Sequence, residues 1–226
     1  MAQRATLQRT YRSSRAGMAP SGVAVRLSDA SRAVRTILAA EGRHPATAPL
    51  LLTMLVVVCA STLWALGQPL TCPCGHVALW AGDMATNQNS QQFADAYSIE
   101  HAAAGLLVSV LLQPLARVAH STRLVGVAAG AVGWEFLENS SWIIHRFRAL
   151  TISVDYAGDS VLNSSTDVIF CCLAFAIAGR LPWRVSLALV ALAEVVVTFA
   201  IHDSILLSLL ALLSGNDALR EWQLAR

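Results

Sequence analysis

Acidic side chains recur at helical spacing inside apolar stretches of this chain. Glu135, Glu138 and Asn139 stand at positions i, i+3 and i+4, so on a helix they lie one above another on a single face. Carboxylates held in this way can bind a divalent cation, or can act as general acid and base when burial raises the pKa of one of them. Glu135 and Glu138 are therefore candidate catalytic residues, and Asn139 is a candidate substrate-binding residue.

A second polar stripe begins another apolar stretch. Asp159, Asn163 and Asp167 repeat every four residues over two helical turns, and His101 lies near the start of a third apolar stretch. A charge near the middle of a bilayer costs at least about 2.5 kcal/mol, so such side chains face a bundle interior and pair. The candidate ligands of a divalent metal ion are His101, Glu135, Asp159 and Asp167, Asp167 is also a candidate acid or base, and Asn163 is a candidate substrate-binding residue.

Structural roles compete with these chemical ones. Asp159 beside Ser160 is also a reasonable helix N-cap, and carboxylates near helix ends can reach the lipid headgroups. Cys72-Pro-Cys74-Gly-His76 admits a disulfide or redox role, a metal site, or a structural turn.

Composition sets the class of protein that positions these residues. The 226 residues are 55% hydrophobic and only 13% charged, whereas a soluble domain carries about 25% charged residues. All sixteen basic residues are arginine. We expect an all-α, polytopic membrane helix bundle with about five transmembrane helices, and no nucleic-acid partner. The spans are predicted near 48–67, 99–118, 124–142, 159–179 and 185–201, with a short interfacial helix at 204–213.

The first 46 residues differ from the rest. They carry eight arginines against two acids and are predicted to be a basic, largely disordered cytoplasmic tail, with the membrane domain in 47–226. A short amphipathic helix at 23–40 is one alternative, and an organellar transit peptide is another.

Arginines also predict the orientation. The tail, the 117–123 turn and the 180–184 turn hold twelve of the sixteen arginines, which places these segments in the cytoplasm. The N-terminus is then cytoplasmic, and the segments 68–98 and 143–158 face outward. This topology brings the polar ends of four helices to the outer leaflet of the membrane.

Five strings in order support a resemblance. They are CPCG (72–75), NSQQ-x-x-D-x-Y-S-x-x-H (89–101), WEFLEN (134–139), DYAGDS-x-x-NS-x-x-D (155–167) and HD (202–203). From about residue 60 to 223 the chain resembles an uncharacterised bacterial family of multi-pass inner-membrane proteins, and it is loosely similar to VanZ-like membrane proteins. The resemblance implies an inner-membrane helical bundle and supplies no reaction.

Three functional classes remain open at this stage. The first is an enzyme acting on a lipid headgroup or a lipid-linked envelope precursor, with a divalent metal ion as the implied cofactor. The second is a non-enzymatic binding or assembly protein whose polar cluster locks the helices together. The third is a transporter, for which Glu194 in the fifth predicted span is the main support, although no inverted repeat is evident.

Overall fold

The computed structural model describes residues 47–82, 86 and 88–225. Within these ranges the chain is helical and contains no strand, which confirms the predicted all-α class. The tail 1–46, with the helix predicted at 23–40, lies outside the described residues, so the tail boundary stays a prediction. The helices are α1 (Thr47–Ala65), α2 (Ala96–Leu111), α3 (His120–Glu138), α4 (Ser141–Leu150), α5 (Val161–Ala178), α6 (Trp183–Ile201), α7 (Ile205–Ser214) and α8 (Asp217–Leu224), with a 3-10 turn at Gln113–Leu115.

Helix α5 lies at the centre of the bundle. It packs against α1, α2 and α3, and α2 packs in turn against α6. Phe175 and Val168 of α5 are completely buried, and Cys59 and Leu63 of α1 are buried in the same core as Val168. Since α5 is surrounded, it can carry buried polar residues toward partners on several neighbouring helices.

Three of the described helices are long and apolar enough to cross a membrane, namely α1, α5 and α6. Helices α1 and α6 expose large apolar side chains, such as Trp64 at 63% and Phe199 at 82%. Such continuous apolar surface favours contact with lipid over contact with water. Of the other predicted spans, α2 is a 16-residue apolar helix, and α3 carries Arg123, Glu135 and Glu138 within its 19 residues.

Two helices were not predicted. The segment 143–158 was interpreted as a polar connection, yet it begins with most of α4, whose Ile143 and Phe147 are buried against Tyr156 and Leu212. The four-residue spacing of Ile143 and Phe147 is the signal for this helix. Helix α8 follows the short helix predicted at 204–213, which is observed as α7.

The segment between α1 and α2 packs onto the start of α5. The backbone N–H groups of Ser160, Val161 and Leu162 donate to carbonyls of this segment at 2.9, 2.8 and 3.1 Å. A helix start leaves such donors without partners in its own helix, so the segment satisfies them from outside. Cys72 and Cys74, in the same segment, form a disulfide.

Candidate functional site

Helices α2, α3 and α5 bring three of the predicted site residues together. His101 of α2 lies between two carboxylates, with Nδ1 3.8 Å from Oε1 of Glu135 and Nε2 3.9 Å from Oδ2 of Asp167. The 99–118, 124–142 and 159–179 stretches therefore converge at these residues. Each imidazole nitrogen faces one carboxylate, so His101 is placed between two acids from different helices.

Glu138 completes a group with metal-binding geometry. His101, Glu135 and Glu138 each offer one ligand atom, and these atoms all lie within 4.8 Å of one another. Ligand bonds to divalent cations are about 2.0–2.6 Å long, so atoms on opposite sides of one ion stand about 4–5 Å apart. The three side chains can thus reach a common cation with small movements. One imidazole and two carboxylates are a donor set that suits a transition metal or zinc.

Most of the carboxylate oxygens at this site have no hydrogen-bond partner among the described residues. Within the part of the chain that the structure describes, both Oε atoms of Glu135 and Oδ1 of Asp167 are buried without a hydrogen bond, as is Oε2 of Glu138. Glu135 is 0% exposed and Asp167 2% exposed. Buried carboxylates need hydrogen bonds, a cation or a proton to offset the loss of hydration. Several such oxygens in one place indicate a site prepared for a cation or for a shared proton.

A small cavity adjoins these residues. It measures about 50 Å³ and is lined by His101 and Glu138 together with Glu100, Tyr97 and Trp134. A single water needs roughly 10–15 Å³ of such volume, so the cavity accepts a few waters or a small chemical group. The imidazole of His101 is 15% exposed, which leaves the site reachable.

Asp159 lies in a neighbouring network, outside the His101, Glu135 and Glu138 group. Tyr156 donates its hydroxyl to Oδ1 at 2.8 Å, while Asn139 Nδ2 lies 3.4 Å from Oδ2. Asn139 Oδ1 accepts the backbone N–H of Asp159 at 2.7 Å. Burial raises the pKa of Asp159 to about 7. This network ties the end of α3 to the residues that precede α5.

The N-cap interpretation of Asp159 is wrong. Ser160 is the N-cap of α5, and its Oγ accepts the backbone N–H of Asn163 at 3.1 Å. The side-chain amide of Asn163 donates to the carbonyl of Gln92 at 3.1 Å. The two asparagines predicted to bind substrate, Asn139 and Asn163, thus both bond to protein groups, and Asn163 holds the 68–95 segment against α5.

Several residues beside the site were not singled out from the sequence. Asp95 is fully buried and caps α2, since Oδ1 accepts the backbone N–H of Tyr97 at 2.8 Å. Trp134 and Tyr97 line the cavity. The signal for Asp95 is its capping box with Ser98, three residues later. The signal for Trp134 and Tyr97 is their place in the strings WEFLEN and NSQQ-x-x-D-x-Y-S-x-x-H, which carry the family resemblance.

A further polar centre surrounds Asp203, after α6. Its carboxylate accepts hydrogen bonds from Tyr97, Ser208 and Gln223, each at 2.8 Å. Asp203 is 0% exposed and these partners come from α2, α7 and α8. Since its oxygens are satisfied, Asp203 connects the C-terminal helices to α2. Glu194 of α6 was the support for the transporter class. Its carboxyl group interacts electrostatically with that of Glu100 on α2.

Comparison with known proteins identifies relatives over most of the chain. Residues 63–225 match a protein family that is described as 'Protein of unknown function (DUF2585)'. A UPF0314 protein of Paracoccus denitrificans is 42% identical over 182 residues, covering 79% of this chain and 94% of the relative. A UPF0314 protein of Sphingopyxis alaskensis is 40% identical over 170 residues, covering 75% of this chain and 90% of the relative.

A third relative, a UPF0314 protein of Brucella anthropi, is 35% identical over 175 residues, covering 77% of this chain and 89% of the relative. No solved structure matches the chain. The predicted resemblance to an uncharacterised bacterial family is confirmed, whereas the similarity to VanZ-like proteins stays a prediction. The chain belongs to this bacterial family of proteins of unknown function, UPF0314 or DUF2585.

Proposed function

We propose that this protein is a metal-dependent membrane enzyme that acts on a lipid headgroup or lipid-linked envelope precursor at the outer leaflet of the bacterial inner membrane. The observation that carries the proposal is the convergence of His101, Glu135 and Glu138, whose ligand atoms lie within 4.8 Å of one another. The buried oxygens of Glu135 have no hydrogen-bond partner among the described residues. A divalent cation would satisfy them.

The roles of the residues follow from their positions. His101, Glu135 and Glu138 hold the cation, which would polarise an ester or phosphoryl oxygen of the headgroup. Asp167 lies 3.9 Å from Nε2 of His101 and orients the imidazole, as carboxylates beside metal-bound histidines do. The hydrogen bonds between Asn139 and Asp159 hold the end of α3 against the start of α5. Asp159 is a supporting residue in this proposal, and Asn163 positions the 68–95 segment.

The proposal includes five crossings with a cytoplasmic N-terminus. Together α2 and the following 3-10 turn extend from Ala96 to Leu115, close to the roughly 20 residues that span a bilayer. Helix α3 has 19 residues. In this orientation the starts of α2 and α5 and the end of α3 all lie at the outer side, where the site is found.

Metal content tests the proposal. The full-length protein is purified in detergent, exchanged into metal-free buffer and analysed by plasma mass spectrometry, beside a His101→Ala, Glu135→Ala double variant. Asp155→Asn is the matched control, because Asp155 is an exposed acid outside the site. We expect near-stoichiometric metal in the wild type and the control and its loss in the double variant. Metal-free wild type that also fails to bind added Zn²⁺ or Mn²⁺ would refute the proposal.

The second candidate is a non-enzymatic assembly protein, which the satisfied hydrogen bonds of Asp159 and Asp203 favour. In that case the site substitutions would lower stability in step with any cell-envelope phenotype. The discriminating variant is Asp167→Asn, which preserves side-chain volume. A folded Asp167→Asn protein that fails to restore the lipid profile of a deletion strain supports the enzyme. Restoration in proportion to protein abundance supports the assembly role.

A further inference from the structure

An apolar groove runs along one face of α3. It has a volume of about 620 Å³, and its walls include Val108 of α2 and Leu209 of α7, while Gly126 and Gly130 of α3 form part of its floor. The volume falls within the range of about 300–1,000 Å³ that is usual for ligand pockets. Its lining is mostly apolar, with His101, Thr122 and Arg123 as the polar side chains.

The groove continues into the polar site. His101, Trp134, Ile205 and Leu209 line both the groove and the small cavity that contains Glu138. A molecule that occupies both spaces must have an apolar part and a polar part joined at His101. Membrane lipids have this division, whereas an apolar helix of a partner protein has no polar end to enter the cavity.

Glycines create the space on α3. A Cβ atom added at Gly126 or at Gly130 would meet nothing within 4 Å. Each glycine inside a helix costs about 0.5–1 kcal/mol relative to alanine. Packing between the described helices does not need small residues at these two positions, so the open floor is available to a ligand.

The length of the groove matches one lipid chain. Among the α3 residues that line it, Trp134 and Arg123 are eleven residues apart, or about 17 Å at 1.5 Å per residue. One leaflet supplies about half of a hydrocarbon core that is about 30 Å thick. A single acyl chain that starts at His101 therefore fills the groove to the level of Arg123.

We infer that this groove holds one acyl chain of the lipid whose headgroup enters the site of His101, Glu135 and Glu138. The inference rests on the proposed function and narrows its substrate class to lipids that carry an acyl chain. The groove orients the lipid, so that the region linking its headgroup to its acyl chain lies beside His101.

Photolabelling tests the groove. The full-length protein is reconstituted in vesicles of phosphatidylethanolamine and phosphatidylglycerol that contain a small fraction of phosphatidylglycerol with a diazirine on one acyl chain. Labelled positions are mapped by mass spectrometry after irradiation. We expect stronger labelling of Val108 and Leu209 than of Val57, a side chain of α1 that is 58% exposed and lines neither the groove nor the small cavity.

Gly130→Leu fills the groove, and Gly133→Leu is the matched control. Gly133 also has nothing within 4 Å of an added Cβ but does not line the groove. Labelling of Val108 and Leu209 should fall by about tenfold or more in Gly130→Leu and stay unchanged in Gly133→Leu. Leucine favours the helix more than glycine does, so we expect α3 to form in both variants.

Two results would overturn the inference. One is equal labelling of the groove in Gly130→Leu and Gly133→Leu. The other is wild-type labelling of Val108 and Leu209 no stronger than that of Val57, which is also the result expected if a second copy of the chain, and not a lipid, occupies the groove. Metal analysis of the same samples separates the two proposals. Labelled groove without metal refutes only the proposed function, and metal without labelling refutes only the groove.

Discussion

The backbones of α2 and α5 come close together at Gly105. A Cβ atom at this position would stand 2.1 Å from the carbonyl oxygen of Cys171 and 3.1 Å from the backbone nitrogen of Phe175. Real Cβ atoms essentially never approach a heavy atom within 3.0 Å, so Gly105→Ala must move the two helices apart by about 0.9 Å. Small residues at such contacts let helices pack closely in membranes.

The separation affects the candidate site as well as stability. His101 and Asp167 lie one turn before Gly105 and Cys171 respectively, so the 3.9 Å approach of the two side chains lengthens in the variant. Overpacking costs typically about 1–3 kcal/mol. We expect about 3 kcal/mol, since the obstructing atoms are backbone and cannot rotate away. For a chain of this size that corresponds to a fall of about 6–12 °C in Tm.

Thermal unfolding in detergent micelles, followed by tryptophan fluorescence, measures the change. Gly126→Ala is the control, because nothing lies within 4 Å of its added Cβ and the substitution favours the helix by about 1 kcal/mol. A Gly105→Ala protein with a Tm within about 2 °C of wild type would show that α2 and α5 are not in backbone contact, and the position of His101 beside Asp167 would have to be abandoned.

Two further predictions concern pH and topology. Burial raises the pKa of Asp159 to about 7 in the folded state, whereas its pKa in the unfolded state is about 3.9. Between about pH 4 and 7 the folded state therefore keeps a proton that the unfolded state releases. The contribution of Asp159 to the free energy of unfolding therefore falls as pH rises through that window and levels off above it. Tm measured from pH 4.5 to 7.5 with EDTA present should show a weaker pH dependence in Asp159→Asn, and an identical dependence would contradict this account. In intact cells, an impermeant maleimide should label Asp155→Cys but label Ala119→Cys only after permeabilisation, and the reverse pattern would overturn the outer-leaflet site.

Much of the helical arrangement was predictable from residue patterns. The long apolar stretches form helices because backbone N–H and C=O groups in apolar surroundings find no water. They must therefore bond to one another within the helix. The meeting of His101, Glu135 and Asp167 also followed from spacing, since buried acids must face the bundle interior. The structure separates these residues from Asp159, because Tyr156 and Asn139 supply Asp159 with its own hydrogen bonds. Such long-range partners leave no periodic signal in a sequence.

The sequence alone was enough to predict the all-helical class, the family, and the separate helices that carry His101, Glu135 and Asp167. Composition and period decide these properties, because both act locally along the chain. The tertiary structure selects Glu138 in place of Asp159 as the carboxylate that joins His101 and Glu135, and it shows that Asn163 holds a loop. It alone joined the glycine-lined groove to the polar cavity through His101. These relations depend on how helices distant in sequence rotate and approach one another, and close contacts such as Gly105 with Cys171 determine that rotation.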